Sequence, residues 1–244
     1  MKAPLTLTSL CAAAGLALSV ALIPTQADAA TLVPCNNIPA LRAAITQANT
    51  APGGGDVTLM PGCTYTLTAV DPTSPQNGLP DIVGNVRIVG FNTTITRAAN
   101  AAAQFRIFGV APTGTLSLTA INVSGGNTPG PGGGILNAGT LTVVGGAIRN
   151  NTAGTGGGIS TGPGVATLIG TTISGNKAPN GVGGGVLTAG GKTTIIASSI
   201  TGNSAPDGGG IFNGAGTLSL IGVSVKDNTL NNCRPLGSVP GCSN

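Results

Sequence analysis

The sequence predicts an all-β solenoid, a parallel β-helix of three-stranded coils. Three observations predict it: a unit of about 25 residues recurs along the second half, the aliphatic residues within it hold their phase, and each unit is punctuated by glycine and asparagine at fixed places. The units start with GGG and an aliphatic residue at Ile135, Ile159, Val186 and Ile211, and close at Asn151, Asn176, Asn203 and Asn228. A fixed period of this size belongs to a chain in which each repeat buries its apolar face only against its neighbours.

Two further rows run through the repeat, Leu118, Val143, Leu168, Ile195, Leu220 and Val123, Ile148, Ile173, Ile200, Val225, with steps of 25, 25, 27 and 25 in both. The two extra residues fall at Gly181-Val182, in a turn, where a solenoid accepts an insertion without losing strand stacking. Alternation such as Thr140-Leu141-Thr142-Val143 points the aliphatics inward and the hydroxyls outward. Stacked coils then make parallel sheets, with each buried Ile or Leu contributing roughly 1.5–3 kcal/mol. Glycine suits the sharp turns. Asn151, Asn176, Asn203 and Asn228 share one corner and are expected to form a structural amide ladder that satisfies turn carbonyls.

Upstream the pattern loosens but continues, through Asp56-Val-Thr-Leu, Thr64-Tyr-Thr-Leu-Thr, Val86-Arg-Ile-Val-Gly and Phe105-Arg-Ile-Phe-Gly. About seven coils result, a rod of roughly 34 Å at the spacing of parallel strands. The predicted organisation is a signal peptide over 1–29, an N-terminal helical cap over 30–53, the β-helix over 54–230 and a disulfide-closed cap loop over 231–244. Lys2, the apolar stretch Leu10 to Ile23 and Ala27-Asp28-Ala29 carry the signal-peptide reading. Leu41, Ala44, Ile45 and Ala48 recur at helical spacing, as a short amphipathic cap requires. No other apolar run is long enough to span a membrane, so a secreted, extracellular protein is expected.

Four cysteines remain after the signal: Cys35, Cys63, Cys233 and Cys242. They allow three disulfide connectivities. Neighbour pairing is favoured because the repeats separate the pairs, and without histidine or a C-x-x-C spacing a metal site is not implied. Histidine and glutamate are both absent, and the net charge is +4 without clustering of Lys and Arg. That balance gives no nucleic-acid surface, and no cofactor is implied. Ser-His or Cys-His hydrolysis lacks its base, and the GGG runs carry no following Lys of a phosphate loop.

The helix followed by GGGDVTLMPGCTYTLT, the LPDIVGNVRIVG coil and the GGGI…N units resemble secreted bacterial right-handed parallel β-helix repeat proteins of the pectin-lyase-like superfamily. The units are also similar to the repeats of polymorphic outer membrane proteins. The resemblance covers residues 31–244 and implies the right-handed coil. It implies no single activity, since lyases, hydrolases and adhesins share this fold.

Carbohydrate-active enzymes of this fold group two or three acids at one surface. The acids that follow the signal are scattered: Asp56, Asp71, Asp81, Asp207 and Asp227. The expected function is therefore a non-catalytic scaffold or adhesin-like module contacting a polysaccharide or the cell envelope. A degenerate or unusual polysaccharide lyase or glycoside hydrolase is the alternative. The candidate glycan-binding surface is the outward row that follows the third ladder: Ser124, Arg149, Ser174, Thr201 and Lys226.

Overall fold

The computed structural model describes residues 31–242; the predicted signal peptide lies outside them. Strands of three faces alternate along the chain. The first face stacks Phe108–Val110, Ile135–Asn137, Ile159–Thr161, Val186–Thr188, Ile211–Asn213 and Cys233–Arg234. The second stacks Thr140–Val144, Val165–Ile169, Lys192–Ile196 and Thr217–Ile221, and the third Ala147–Arg149, Thr172–Ser174, Ser199–Thr201 and Ser224–Lys226. Every pairing between these strands is parallel. The second and third faces form one sheet, because the longer strands Asn85–Arg97 and Thr115–Ser124 turn the corner unbroken. The result is a parallel β-solenoid of about 8 turns. Thr31–Val33 adds a rung beneath Gly55–Leu59, within a segment that the sequence assigns to the cap.

The aliphatic rows meet in register. Leu118, Val143, Leu168, Ile195 and Leu220 are successive partners on the second face. Val123, Ile148, Ile173, Ile200 and Val225 are successive partners on the third. All are buried except the final members, Leu220 and Val225, which are half-buried in the last full coil. A fourth, weaker ladder lies beyond the three predicted strands: Thr152–Thr155 pairs with Asn127–Pro131, and single bridges continue it from Thr152 to Lys177, Ser204 and Thr229.

The asparagines close the corner between the third face and this fourth ladder. The Oδ1 of Asn176 accepts from both the backbone N (3.0 Å) and Nδ2 (3.0 Å) of Asn151. Asn203 does the same for Asn176, Asn228 for Asn203, and Asn232 for Asn228. The second Nδ2 hydrogen of each donates to a carbonyl of the inward ladder one coil back: Val123, Ile148, Ile173 and Ile200 in turn. Each interior amide thus satisfies the backbone of the coil before it and bonds the amide of the coil after it, which is why Asn151, Asn176 and Asn203 are fully buried without an unpaired atom.

The helix Ile38–Thr50 covers the N-terminal end with Leu41, Ala44, Ile45 and Ala48 inward. Asn37 caps it, its Oδ1 accepting from Ala40 N at 3.0 Å, with proline in the first turn where no N–H is needed. Tyr65 is buried beneath it and donates to Val33 O at 2.7 Å while accepting from Met60 N at 3.1 Å. That phenol ties the first rung to the stack, and its burial raises its pKa above the ordinary tyrosine value. Among the described residues no helix is long and apolar enough to cross a membrane.

Cys35 is bonded to Cys63 and Cys233 to Cys242, with Cα atoms 5.4 and 6.3 Å apart. The second bond closes 9 residues of sequence over the last coil. Loop entropy gives such a closure about 2.6 kcal/mol. Cys233→Ser with Cys242→Ser is expected to lower the unfolding free energy by about that amount, read as a lower urea midpoint.

Candidate functional site

Between Thr64–Leu67 and Ile82 the chain leaves the stack for an excursion with no repeat character, Val70 to Asp81. Its first half is a tight turn: Asp71 N donates to Asn77 O, Asn77 N to Ser74 O and Ser74 N to Asp71 O, at 2.8, 2.8 and 3.2 Å. Proline at 72 and 75 and the Asp71 side chain set this geometry. The Oδ1 of Asp71 accepts from Thr73 N (2.9 Å) and Thr73 Oγ1 (2.5 Å). Its Oδ2 pairs with Arg42 Nε of the cap helix at 3.3 Å. Arg42 Nη2 also donates to Ala69 O and Gly78 O, so the helix clamps both ends of the excursion.

The second half lies against Arg106. Gly78 N donates to Arg106 O and Arg106 N to Gln76 O, at 2.8 and 3.1 Å. Asp81 accepts from Ser74 Oγ (3.1 Å) and Asn77 Nδ2 (2.5 Å), and Asn77 Oδ1 accepts from Arg106 Nη1 at 3.0 Å. Asn77 therefore relays between a carboxylate and a guanidinium. Ser74, Asn77 and Arg106 are all at least 96% buried. Burial pulls the Arg106 pKa below the ordinary arginine value while Asp81 opposes the shift, and the guanidinium stays cationic.

The excursion makes one wall of a groove. A cavity of about 440 Å³ lies between Asp81, Asn77 and Arg106 on one side and Val110, Leu136 and Ala138 on the other. A second, about 430 Å³, shares Pro75, Gln76 and Arg106 with it and reaches Gln104 and Thr128–Pro131. A third, about 520 Å³, shares Gln104 and Thr128–Pro131 and extends over Thr152–Thr155 to Pro179 and Asn180. The groove thus crosses successive coils along the fourth ladder. Its far end is the turn that holds the two-residue insertion.

The outward row of the third face is present and in register: Ser124, Arg149, Ser174, Thr201 and Lys226 are successive partners. Arg149 and Lys226 are exposed, Ser174 and Thr201 half-buried. None of the five lines the groove. Asp207 pairs with Arg234 at 3.3 Å, Asp56 with Arg87 at 3.4 Å, and Asp227 is exposed at a turn. The carboxylates that the fold brings to one loop are instead Asp71 and Asp81. The signal for them was available as a long non-repeating insertion with prolines at 72, 75 and 80 between two periodic coils.

Chemically, the groove offers amides, hydroxyls, backbone carbonyls and one guanidinium. Asp81 is the only carboxylate among its described lining residues, whereas acid–base cleavage of a glycoside takes two across the bond. No group of three His, Cys, Asp or Glu among the described residues is placed to hold a metal ion. The chain matches no family model, no curated protein and no solved structure.

Proposed function

We propose that the protein is a secreted, non-catalytic module that binds a polysaccharide of the cell envelope or surroundings, with the glycan chain laid in the groove. The observation that carries this reading is the groove itself: three adjoining cavities, continuous across several coils, with a few polar groups set in a largely apolar lining and a single carboxylate among the described lining residues. A rigid concave surface with a few fixed hydrogen-bonding groups is the usual form of a ligand site, and its length suits a polymer. The two disulfides support an oxidising destination. The resemblance of the repeats to pectin-lyase-like and outer-membrane repeat proteins supports the same class of ligand. The hydroxyl and cation row Arg149, Ser174, Thr201 and Lys226 is a second contact surface for the same polymer.

A glycan array, run beside lyase and hydrolase assays on pectins and alginate, tests the reading. Binding without turnover is expected. Gln104 and Asn180 are exposed at the middle and the end of the groove. Gln104→Ala and Asn180→Ala should each weaken binding up to about tenfold, the worth of one hydrogen bond. Binding that ignores both changes but falls with Arg149→Ala and Lys226→Ala moves the site to the outward row. Turnover abolished by Asp81→Asn replaces the non-catalytic reading with that of a lyase or hydrolase.

A further inference from the structure

Arg106 is 4% exposed and separates two of the three cavities. Its Nε donates to Pro131 O at 3.2 Å, and its Nη1 to Asn77 Oδ1 and Gln76 Oε1 at 3.0 and 3.3 Å. No hydrogen bond to a described residue uses Nη2. Nor is that nitrogen among the sealed, unpartnered atoms, so it keeps contact with open space.

The residue that faces it has no side chain. A Cβ placed on Gly130 would stand 3.2 Å from Nη2 and 3.6 Å from Thr128 Oγ1. The backbone of Gly130 is outside the left-handed region, so its conformation does not demand glycine. The missing side chain instead leaves the approach to Nη2 clear. The space there is the 430 Å³ cavity, lined by the amides of Gln76 and Gln104 and the hydroxyl of Thr128, and by no carboxylate. Asp81, the acid that offsets Arg106, lies on the neighbouring cavity and reaches the guanidinium through Asn77.

We propose that this cavity is a subsite for one oxyanion, a carboxylate or a sulfate ester, bound by Nη2 of Arg106 with the Gln76 and Gln104 amides beside it. A guanidinium N–H directed at an oxyanion makes one of the stronger hydrogen bonds available to a protein. Burial keeps it from being screened by salt as a surface arginine would be. The polymer reading above supplies the molecule that carries the anion; the subsite itself rests on Arg106 and Gly130.

Titration of the ¹⁵N-labelled protein with sodium sulfate, against sodium chloride at equal ionic strength, tests the subsite without any glycan. The Arg106 Nε–Hε and Gly130 amide resonances are expected to shift saturably with sulfate alone. In Gly130→Ala the Arg106 response should be lost while the rest of the spectrum is unchanged. A wild-type response identical in the two salts overturns the proposal, as does a Gly130→Ala protein that binds sulfate equally well.

A second arm compares alginate with its neutral ester, and a sulfated galactan with its desulfated form. Whichever charged chain is the natural class should bind at least tenfold tighter than its neutral counterpart, and Gly130→Ala should erase the preference. Sulfate bound with no chain bound overturns the polymer reading and leaves the subsite standing. Chains bound equally with and without charge, and no sulfate response, do the reverse.

Discussion

Asn176→Asp is expected to be among the most damaging conservative substitutions in this chain, destabilising it at neutral pH by on the order of 5 kcal/mol. The change is nearly isosteric, so packing contributes little. It removes two N–H donors, leaving Ile148 O and Asn203 Oδ1, now 2.8 and 2.9 Å from Nδ2, facing an oxygen. Ile148 O loses that Nδ2 donor, which costs about 1–3 kcal/mol, and Asn203 Oδ1, though it keeps the Asn176 backbone N–H, is set against a second acceptor. A carboxylate at a fully buried position adds its own desolvation. Much of the stability of a typical domain would be consumed.

The sign of the pH dependence follows. Burial raises the carboxyl pKa in the folded state above its unfolded value of about 3.9. The folded form is thus penalised as pH rises through the unfolded pKa, and the variant should be closer to wild type at pH 4 than at pH 7. Urea unfolding at both values checks this. Asn228→Asp should cost less, because Asn228 is half-buried at the end of the ladder. Equal losses at the two sites, or a pH-independent loss at Asn176, would refute the account of a continuous buried amide ladder.

The ladder was legible in the sequence because a solenoid writes its contacts as a period. Residues 25 apart become neighbours, so Val123, Ile148, Ile173, Ile200 and Val225 could be aligned before any coordinates, and so could Asn151, Asn176, Asn203 and Asn228. Even the longer 27-residue step left the register intact, since its extra residues sit in a turn. The cap helix was legible for a different reason, its own 3.6-residue pattern with buried Leu41, Ala44, Ile45 and Ala48.

The groove was not legible. Its wall is a long segment without a repeat, and its defining contacts join Asn77 to Arg106 and Asp71 to Arg42 across 29 residues each, at no multiple of the period. Function in a repeat protein concentrates where the period is broken, which is where a period-based reading has least to work with. The Gly181-Val182 insertion is the partial exception, visible as a break in step and found at the groove's far end.

The glycine triplets show how one sequence signal conceals three physical causes, and they carry the second large expected effect. The first glycine of a triplet has a positive φ, as at Gly156 with +59°, which fits the turn reading. The second does not. At Gly184 a Cβ would come closer than 3.0 Å to two backbone carbonyl oxygens, Gly209 O and Ser204 O, both in the next coil. Neither oxygen belongs to a flexible side chain that can swing away. The third glycine, such as Gly185, lies against Gly210 O and the amide of Asn203.

Gly184→Ala therefore has to push two coils apart where they are hydrogen-bonded on both sides, Gly184 N to Gly208 O at 3.0 Å and Gly158 N to Gly184 O at 3.1 Å. Overpacking of a rigid interior typically costs 1–3 kcal/mol, and the strained inter-coil bonds bring the expected loss to about 3 kcal/mol or more. The opposite tendency, a stabilisation of up to about 1 kcal/mol from reduced unfolded-state entropy, is what Gly190→Ala should show. That glycine is exposed, has no positive φ and has nothing within 4 Å of its would-be Cβ. Thermal melts of the pair separate coil spacing from general glycine flexibility: if both variants melt alike, the middle glycine of the triplet is not there for close approach of the coils.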